Sequence, residues 1–398
     1  MMAMPENQGG GSPVSMACRP FSSLRRGAQV VSMDQGQEQD VDLFQKHVAD
    51  HLLSLLPSST AGLEPPCQLQ PLLTLAFLSK MLEALLFLEE EFQSLLGRSH
   101  AGILADRGVA DLLNRSVKSL DVCNSVSLSL HSLRLWYRPA VIASSVLLPD
   151  RCGEDASLNR ARRAIGKLLA SSHESSYNAT ASMGGDWSGS SGRFGNSQIR
   201  ALSWGVSKNL SAGRTMPLMP AHLAAPRGDE AGGAGVALAV YAMSSLLAFT
   251  MWALAAAVPS QDRSSTALSS PVSPRQHLPW AGAMIELQER ITGEWRRRRR
   301  GSSAGLLAEF QRVERSMRDL MEAMGERGAV TSRAEEVEAR AGELAEACRK
   351  LSEGVGPLEK QVREVFHRLV GIRAEVIRCV DHTSLAAAAA ASVPHLVS

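Results

Sequence analysis

His47 and His51 are the first side chains whose type and spacing suit chemistry, because positions four apart share a helix face and can hold a metal ion between them. Val48, Ala49 and Asp50 lie between them, so the glutamate of an H-E-x-x-H zinc hydrolase is missing. Two solvent-facing histidines are the expectation. The six cysteines (Cys18, Cys67, Cys123, Cys152, Cys348 and Cys379) are scattered, with neither a C-x-x-C pair nor zinc-ribbon spacing. Scattered thiols suit a reducing compartment. Gly232, Gly233 and Gly235 follow neither the G-x-x-x-x-G-K-[ST] nor the G-x-G-x-x-G phosphate-binding pattern. A nucleophile elbow and the kinase signature set are also missing. The sequence therefore nominates no catalytic, cofactor-binding or metal-binding residue, and the expectation is a protein that is not an enzyme and carries no cofactor.

One charged feature stands out. Five arginines run from Arg296 to Arg300. Such a run contacts anionic headgroups at about 1 kcal/mol per residue near a membrane surface, or acts as a nuclear-localisation or RNA patch. A solvated linker is the reading preferred. Lys and Arg total 42 against 40 Asp and Glu, a net charge of +2, which excludes a bulk electrostatic binder of nucleic acid.

The 398 positions of the chain suffice for a sizeable core. Aromatics are 5% and apolar residues 44%, so Leu, Ala, Val and Met dominate and helices are favoured over sheets. Residues 1–38, rich in Pro, Gly and Ser, read as a disordered N-terminus without a secretory signal. The sequons at Asn114, Asn178 and Asn209 then read as chance matches. Residues 39–170 form an N-terminal helical region. Val41, Phe44, Val48, Leu52 and Leu55 share a helix face, residues 72–96 read as a core helix, and a third helix spans about 105–137, ending before Pro139. A fourth, about 155–170, carries Arg160, Arg162, Arg163 and Lys167 on its polar side. Residues 171–234 are Ser/Gly-rich and read as a disordered loop.

Residues 235–259 hold the sharpest signal. The stretch VALAVYAMSSLLAFTMWALAAAV, 23 residues without a charge, is roughly 34 Å long as a helix, enough to cross a bilayer. Tyr241 and Trp252 lie near its ends, where interfacial rings would sit. Eight alanines, two serines and a threonine weaken the insertion energy. A membrane helix at 236–258 and the buried centre of a helical bundle both remain open.

Residues 260–302 read as a linker containing the arginine run. In residues 303–380 the apolar positions alternate steps of four and three: Leu306, Phe310, Val313, Met317, Leu320 and Met324, then Val337, Ala341, Leu344, Cys348 and Leu351, then Leu358, Val362, Val365, Leu369, Ile372 and Val376. Breaks at 325–328 and at Gly354, Gly356 and Pro357 predict three antiparallel, coiled-coil-like helices forming a C-terminal bundle. Glu359 with Arg363, and Glu364 with Arg368, are spaced as helix-supporting pairs. Residues 381–398 read as a disordered tail. The fold class is thus all-α, a helical bundle around a central hydrophobic helix, interrupted by a long disordered loop.

Several stretches resemble the plant BYPASS/ROH family, most closely its ROH branch: 115–124 (RSVKSLDVCN), 201–207 (ALSWGVS), 223–230 (LAAPRGDE), 243–263 (MSSLLAFTMWALAAAVPSQDR) and 361–370 (QVREVFHRLV). The resemblance covers about residues 20–373, in matching order and spacing. The arginine run, the alanines 386–391 and the shortened N-terminal segment depart from the pattern. The resemblance implies a non-enzymatic partner of the seventy-kilodalton Exo subunit of the exocyst, negatively modulating polarised secretion of cell-wall or mucilage polysaccharide. The alternative it implies is a soluble, BYPASS-like regulator of a mobile growth signal. It also implies a membrane helix at 236–258, hence a membrane-associated or cytosolic rather than secreted protein, and it transfers no site residue. The C-terminal bundle is the expected exocyst-facing surface.

Overall fold

The structure is a computed structural model, and it describes residues 22–57, 71–98, 107–147, 155–174, 234–258, 272–298, 306–325 and 330–391. Expectations for residues 1–21, most of the 171–234 loop and residues 392–398 lie outside these. The described residues form eight α-helices and no strand: α1 (Ser22–Leu55), α2 (Leu75–Arg98), α3 (Arg107–Val146), α4 (Asp155–Glu174), α5 (Ala234–Ala257), α6 (Ala281–Arg298), α7 (Ala308–Gly325) and α8 (Val330–Ala391).

Four helices make the centre. α5 packs on α2 and α3, and α8 packs on the same two, so α2 and α3 occupy one diagonal of a four-helix bundle while α5 and α8 occupy the other. α1 lies across α2 and α5, and α6 closes the side where α1 and α5 meet. α7 lies along α8, and α4 bridges α3 and α7. One continuous apolar cluster runs through all eight helices.

This arrangement explains why α5 has no polar face. Partners surround it, and 89% of its most apolar stretch is buried. By length and composition it is long and apolar enough to cross a membrane. Its rings are buried against neighbouring side chains. Trp252 is 1% exposed and stacks near Phe249, while Tyr241 lies 5.8 Å from the ring of Trp280. Burial raises the Tyr241 phenol above its ordinary pKa, with Ser245 and Arg275 opposing. Ser245 hides its hydroxyl by donating to the Tyr241 carbonyl at 2.8 Å.

Several boundaries differ from the sequence expectation. α1 begins at Ser22, not near 39, because turns already nucleated by the buried face at Val41, Phe44 and Val48 extend at little cost. α3 runs through Pro139 to Val146. Trp136, Ala140, Ala143 and Leu147 are buried around that proline, and their burial outweighs its helix penalty of about 3 kcal/mol. The 260–302 linker contains α6 instead: Trp280 just before it and Met284, Leu287 and Ile291 on its inner side are fully buried. The Trp280 indole N–H donates to Gln45 of α1 at 3.1 Å.

The three-helix C-terminal bundle is corrected as well. α8 is one helix of 62 residues with Pro357 inside it, so the region holds two helices. Leu351, Val355, Leu358 and Val362 are buried before, within and after the expected break. Tertiary packing carries the helix through Gly354 and Gly356. The region is also no separate unit, since α8 packs on α2 and α3. Finally, the tail from 381 continues α8 to Ala391, as consecutive alanines, the strongest helix formers, allow.

Candidate functional site

The residues singled out in the sequence do not converge. His47 is not free in solvent: its Nδ1–H reaches both carboxylate oxygens of Glu91 on α2, at 2.9 and 3.0 Å. His51 lies with its ring 5.1 Å from that of Phe87. The two histidines thus clasp α1 to α2, and no cluster of metal-binding side chains occurs among the described residues. Cys123 and Cys348 are buried, and burial pushes both thiols up to about 12, which makes them inert packing groups. Cys123 Sγ sits 3.9 Å from the sulfur of Met251. Arg296 and Arg297 are exposed at the end of α6, and the last two arginines of the run lie outside the described residues. Glu359 and Arg363 pair at 3.4 Å as their spacing suggested.

Arg368 turns away from Glu364 instead. It reaches across to α2, 3.6 Å from Glu89 and 3.7 Å from Glu90. Glu89 is 2% exposed and also accepts a hydrogen bond from Gln93. Burial pushes its carboxyl up to about 7, with Arg368 and Gln93 opposing the shift and Glu90 adding to it. On the other face of α8, Glu359 binds Arg134 of α3 at 2.7 Å, and Arg373 donates to the Leu113 carbonyl at 2.7 Å. α8 is thereby tied to both α2 and α3.

The most developed polar geometry lies where helix ends meet. Thr74 caps α2 by accepting the Phe77 N–H at 3.1 Å. The next orphan N–H, that of Leu75, donates to Glu309 of α7 at 3.0 and 3.2 Å. Ala308 N–H donates to the Leu73 carbonyl at 2.9 Å, and Leu307 N–H to the Ala257 carbonyl at the end of α5 at 3.1 Å. Glu294 of α6 accepts the Leu72 N–H. The ends of α2, α5 and α7 are therefore locked together, with a side chain of α6 joining them.

Beside this junction α2, α7 and α8 enclose an open cleft of about 900 Å³. Small residues, Ala76, Ala308 and Ala347, leave it room. Arg312 and Arg315 of α7 and Lys350 of α8 stand exposed along its sides. Its acidic residue, Glu309, is already engaged by the α2 terminus. Burial raises the Glu309 carboxyl above its ordinary value, while hydrogen bonding and nearby Arg312 partly restore it. The cleft is thus net cationic. None of its three cations was nominated by sequence, because each reads locally as part of a solvated helix face. The available signal was the i, i+3 spacing of Arg312 and Arg315 off the apolar seam.

Fold and cleft together define a single all-α body with an interhelical groove, and no strand among its described residues. The chain belongs to the ROH1-like family: the profile described as Protein ROH1-like matches residues 12–380. Protein ROH1A of Arabidopsis thaliana is 35% identical across 90% of this chain and 94% of its own length. Protein ROH1D of the same plant is 30% identical over the same shares. No solved structure matches the chain.

Proposed function

We propose that the protein is a non-enzymatic adaptor of the ROH type that binds the seventy-kilodalton subunit of the exocyst and restrains polarised secretion of cell-wall or mucilage polysaccharide. The observation that supports this reading is family membership over residues 12–380, which takes in α1 to α7 whole and most of α8. Partner recognition falls to the outer faces of α7 and α8, since helical bundles recognise one another through exposed helix faces. Deleting residues 303–380 is no fair test, because α8 is one corner of the central bundle and its loss would unfold the rest. The test is co-precipitation of the exocyst subunit with the intact chain, together with polysaccharide deposition in cells that overproduce it. Capture with reduced deposition is expected; failure to capture the subunit from either direction of pull-down overturns the reading.

We further propose that α5 is a core helix. Its burial among α1, α2, α3 and α6 favours a core helix over a membrane span. Moving it into a bilayer would strip apolar cover from all four, at about 25 cal/mol per Å² of newly exposed surface. A carbonate wash of the membrane pellet decides this. Release of the full-length chain is expected, and a carbonate-resistant pellet would show insertion.

A further inference from the structure

We infer that the cleft between α2, α7 and α8 is the docking site for an acidic, extended peptide segment of a partner protein. The inference deepens the adaptor reading and rests on it for the nature of the partner.

Charge is the first argument. Arg312 and Arg315 line the cleft from one side; Arg312 interacts with the nearby Glu309 carboxylate, and no salt bridge of Arg315 occurs among the described residues. Lys350 faces them from α8 and pairs with the exposed Glu346 at 3.3 Å. One carboxylate, Glu309, lies among these three cations, so it offsets only part of their charge. The cations that line the cleft outnumber its one carboxylate, and a ligand carboxylate relieves their remaining repulsion.

Shape is the second. Along α8 the cleft extends from Ala347 to Leu358, roughly 16 Å at 1.5 Å per residue. That length takes about five residues of extended chain at 3.3 Å each. Ala76, Ala308 and Ala347 carry only methyl groups where they line the cleft, so a segment can approach its walls closely. A lone anion would fill little of about 900 Å³, whereas a short peptide matches a site in this size range.

The experiment uses the full-length chain and a fluorescein-labelled peptide, Glu-Glu-Leu-Ala-Glu-Leu-Glu, followed by anisotropy. The Arg312→Glu/Arg315→Glu double variant should weaken binding by roughly tenfold or more. Arg160→Glu/Arg163→Glu makes the same charge change on two exposed residues of α4 and should leave binding unaltered. Thermal melts accompany each variant; if the charge reversal does not fold, Arg312→Gln/Arg315→Gln replaces it. Equal weakening by the cleft and α4 variants, or no binding of the peptide to the wild type, overturns the inference. So does cleft-dependent binding of phosphatidylserine vesicles without binding of the peptide. Co-precipitation of the exocyst subunit separates the two proposals. If the wild type captures it and the cleft variant does not, both stand. If both capture it, the adaptor reading stands and the cleft assignment falls. If neither does, the adaptor reading falls and the peptide titration alone judges the cleft.

Discussion

A Cβ placed on Gly354 of α8 would lie 2.5 Å from Cδ1 of Leu75 and 3.1 Å from its Cβ, so the two helices meet here at a separation that only glycine permits. Leu75 is buried and opens α2 directly after its Thr74 cap. The contact therefore fixes where along α8 the start of α2 sits, and with it the depth of the neighbouring cleft.

Gly354→Ala should destabilise the protein. The gain in helix propensity, about 1 kcal/mol, is smaller than the ~1–3 kcal/mol of overpacking against a buried leucine. Gly342→Ala in the same helix is the control, since nothing lies within 4 Å of its would-be Cβ. Thermal melts should show the first variant lower than wild type and the second equal or higher. Two variants melting alike would refute the close approach.

Glu89 sets a pH dependence. An unfolded glutamate ionises near 4.5, whereas burial holds this one protonated up to about 7. Between those values the folded state keeps a proton that the unfolded state has released, so stability falls as pH rises from about 4.5 through about 7 and then levels off. Glu89→Gln removes that titration and retains a hydrogen-bonding amide. Melting temperatures measured from pH 5 to 8 should slope less steeply for the variant, with its advantage greatest at the alkaline end.

Thr74→Ala removes the cap of α2 and should cost about 1 kcal/mol. Glu309→Ala at the same terminus should cost a similar amount by leaving the Leu75 N–H unpaired. Both groups serve one helix end, so a double-mutant cycle should be non-additive. Strict additivity in urea unfolding would mean that the two act on separate structures.

Pro357 is an exposed proline inside a continuous helix, where it forfeits one backbone hydrogen bond. Pro357→Ala should raise stability by roughly 1–3 kcal/mol and slow amide exchange over residues 353–357. Unchanged exchange there would indicate that tertiary packing already suppresses all local opening.

The apolar seams were legible because they depend on spacing alone. Phe310, Val313, Met317 and Leu320 are fully buried, as are Ala341, Leu344 and Leu351 and, further along, Val362. Local punctuation was a poorer guide. Pro139 and Pro357 look like helix stops, yet both are carried through because buried neighbours outweigh a local penalty. The α6 stripe at Trp280, Met284, Leu287 and Ile291 has helical spacing too, but the charged residues around it and the arginines beyond disguised it as linker. For α5 the apolar run was plain and its surroundings were not, since a core helix and a membrane helix share length and composition. The cleft was the least legible feature. It arises only when the start of α2 meets α7 and the middle of α8, and Leu75 and Glu309 are 234 positions apart.

The order in which the helices leave the ribosome follows from the diagonal bundle. α2 and α3 are complete by Val146, but α5, the helix they flank together, is not finished until Ala257. At about 5–20 residues per second the intervening stretch takes on the order of ten seconds to synthesise. Throughout that wait the early helices present apolar faces with no mate, and α8 arrives later still. Nascent chains of this protein should therefore be heavy clients of chaperones at the tunnel exit, and prematurely terminated ones should be cleared rather than accumulate.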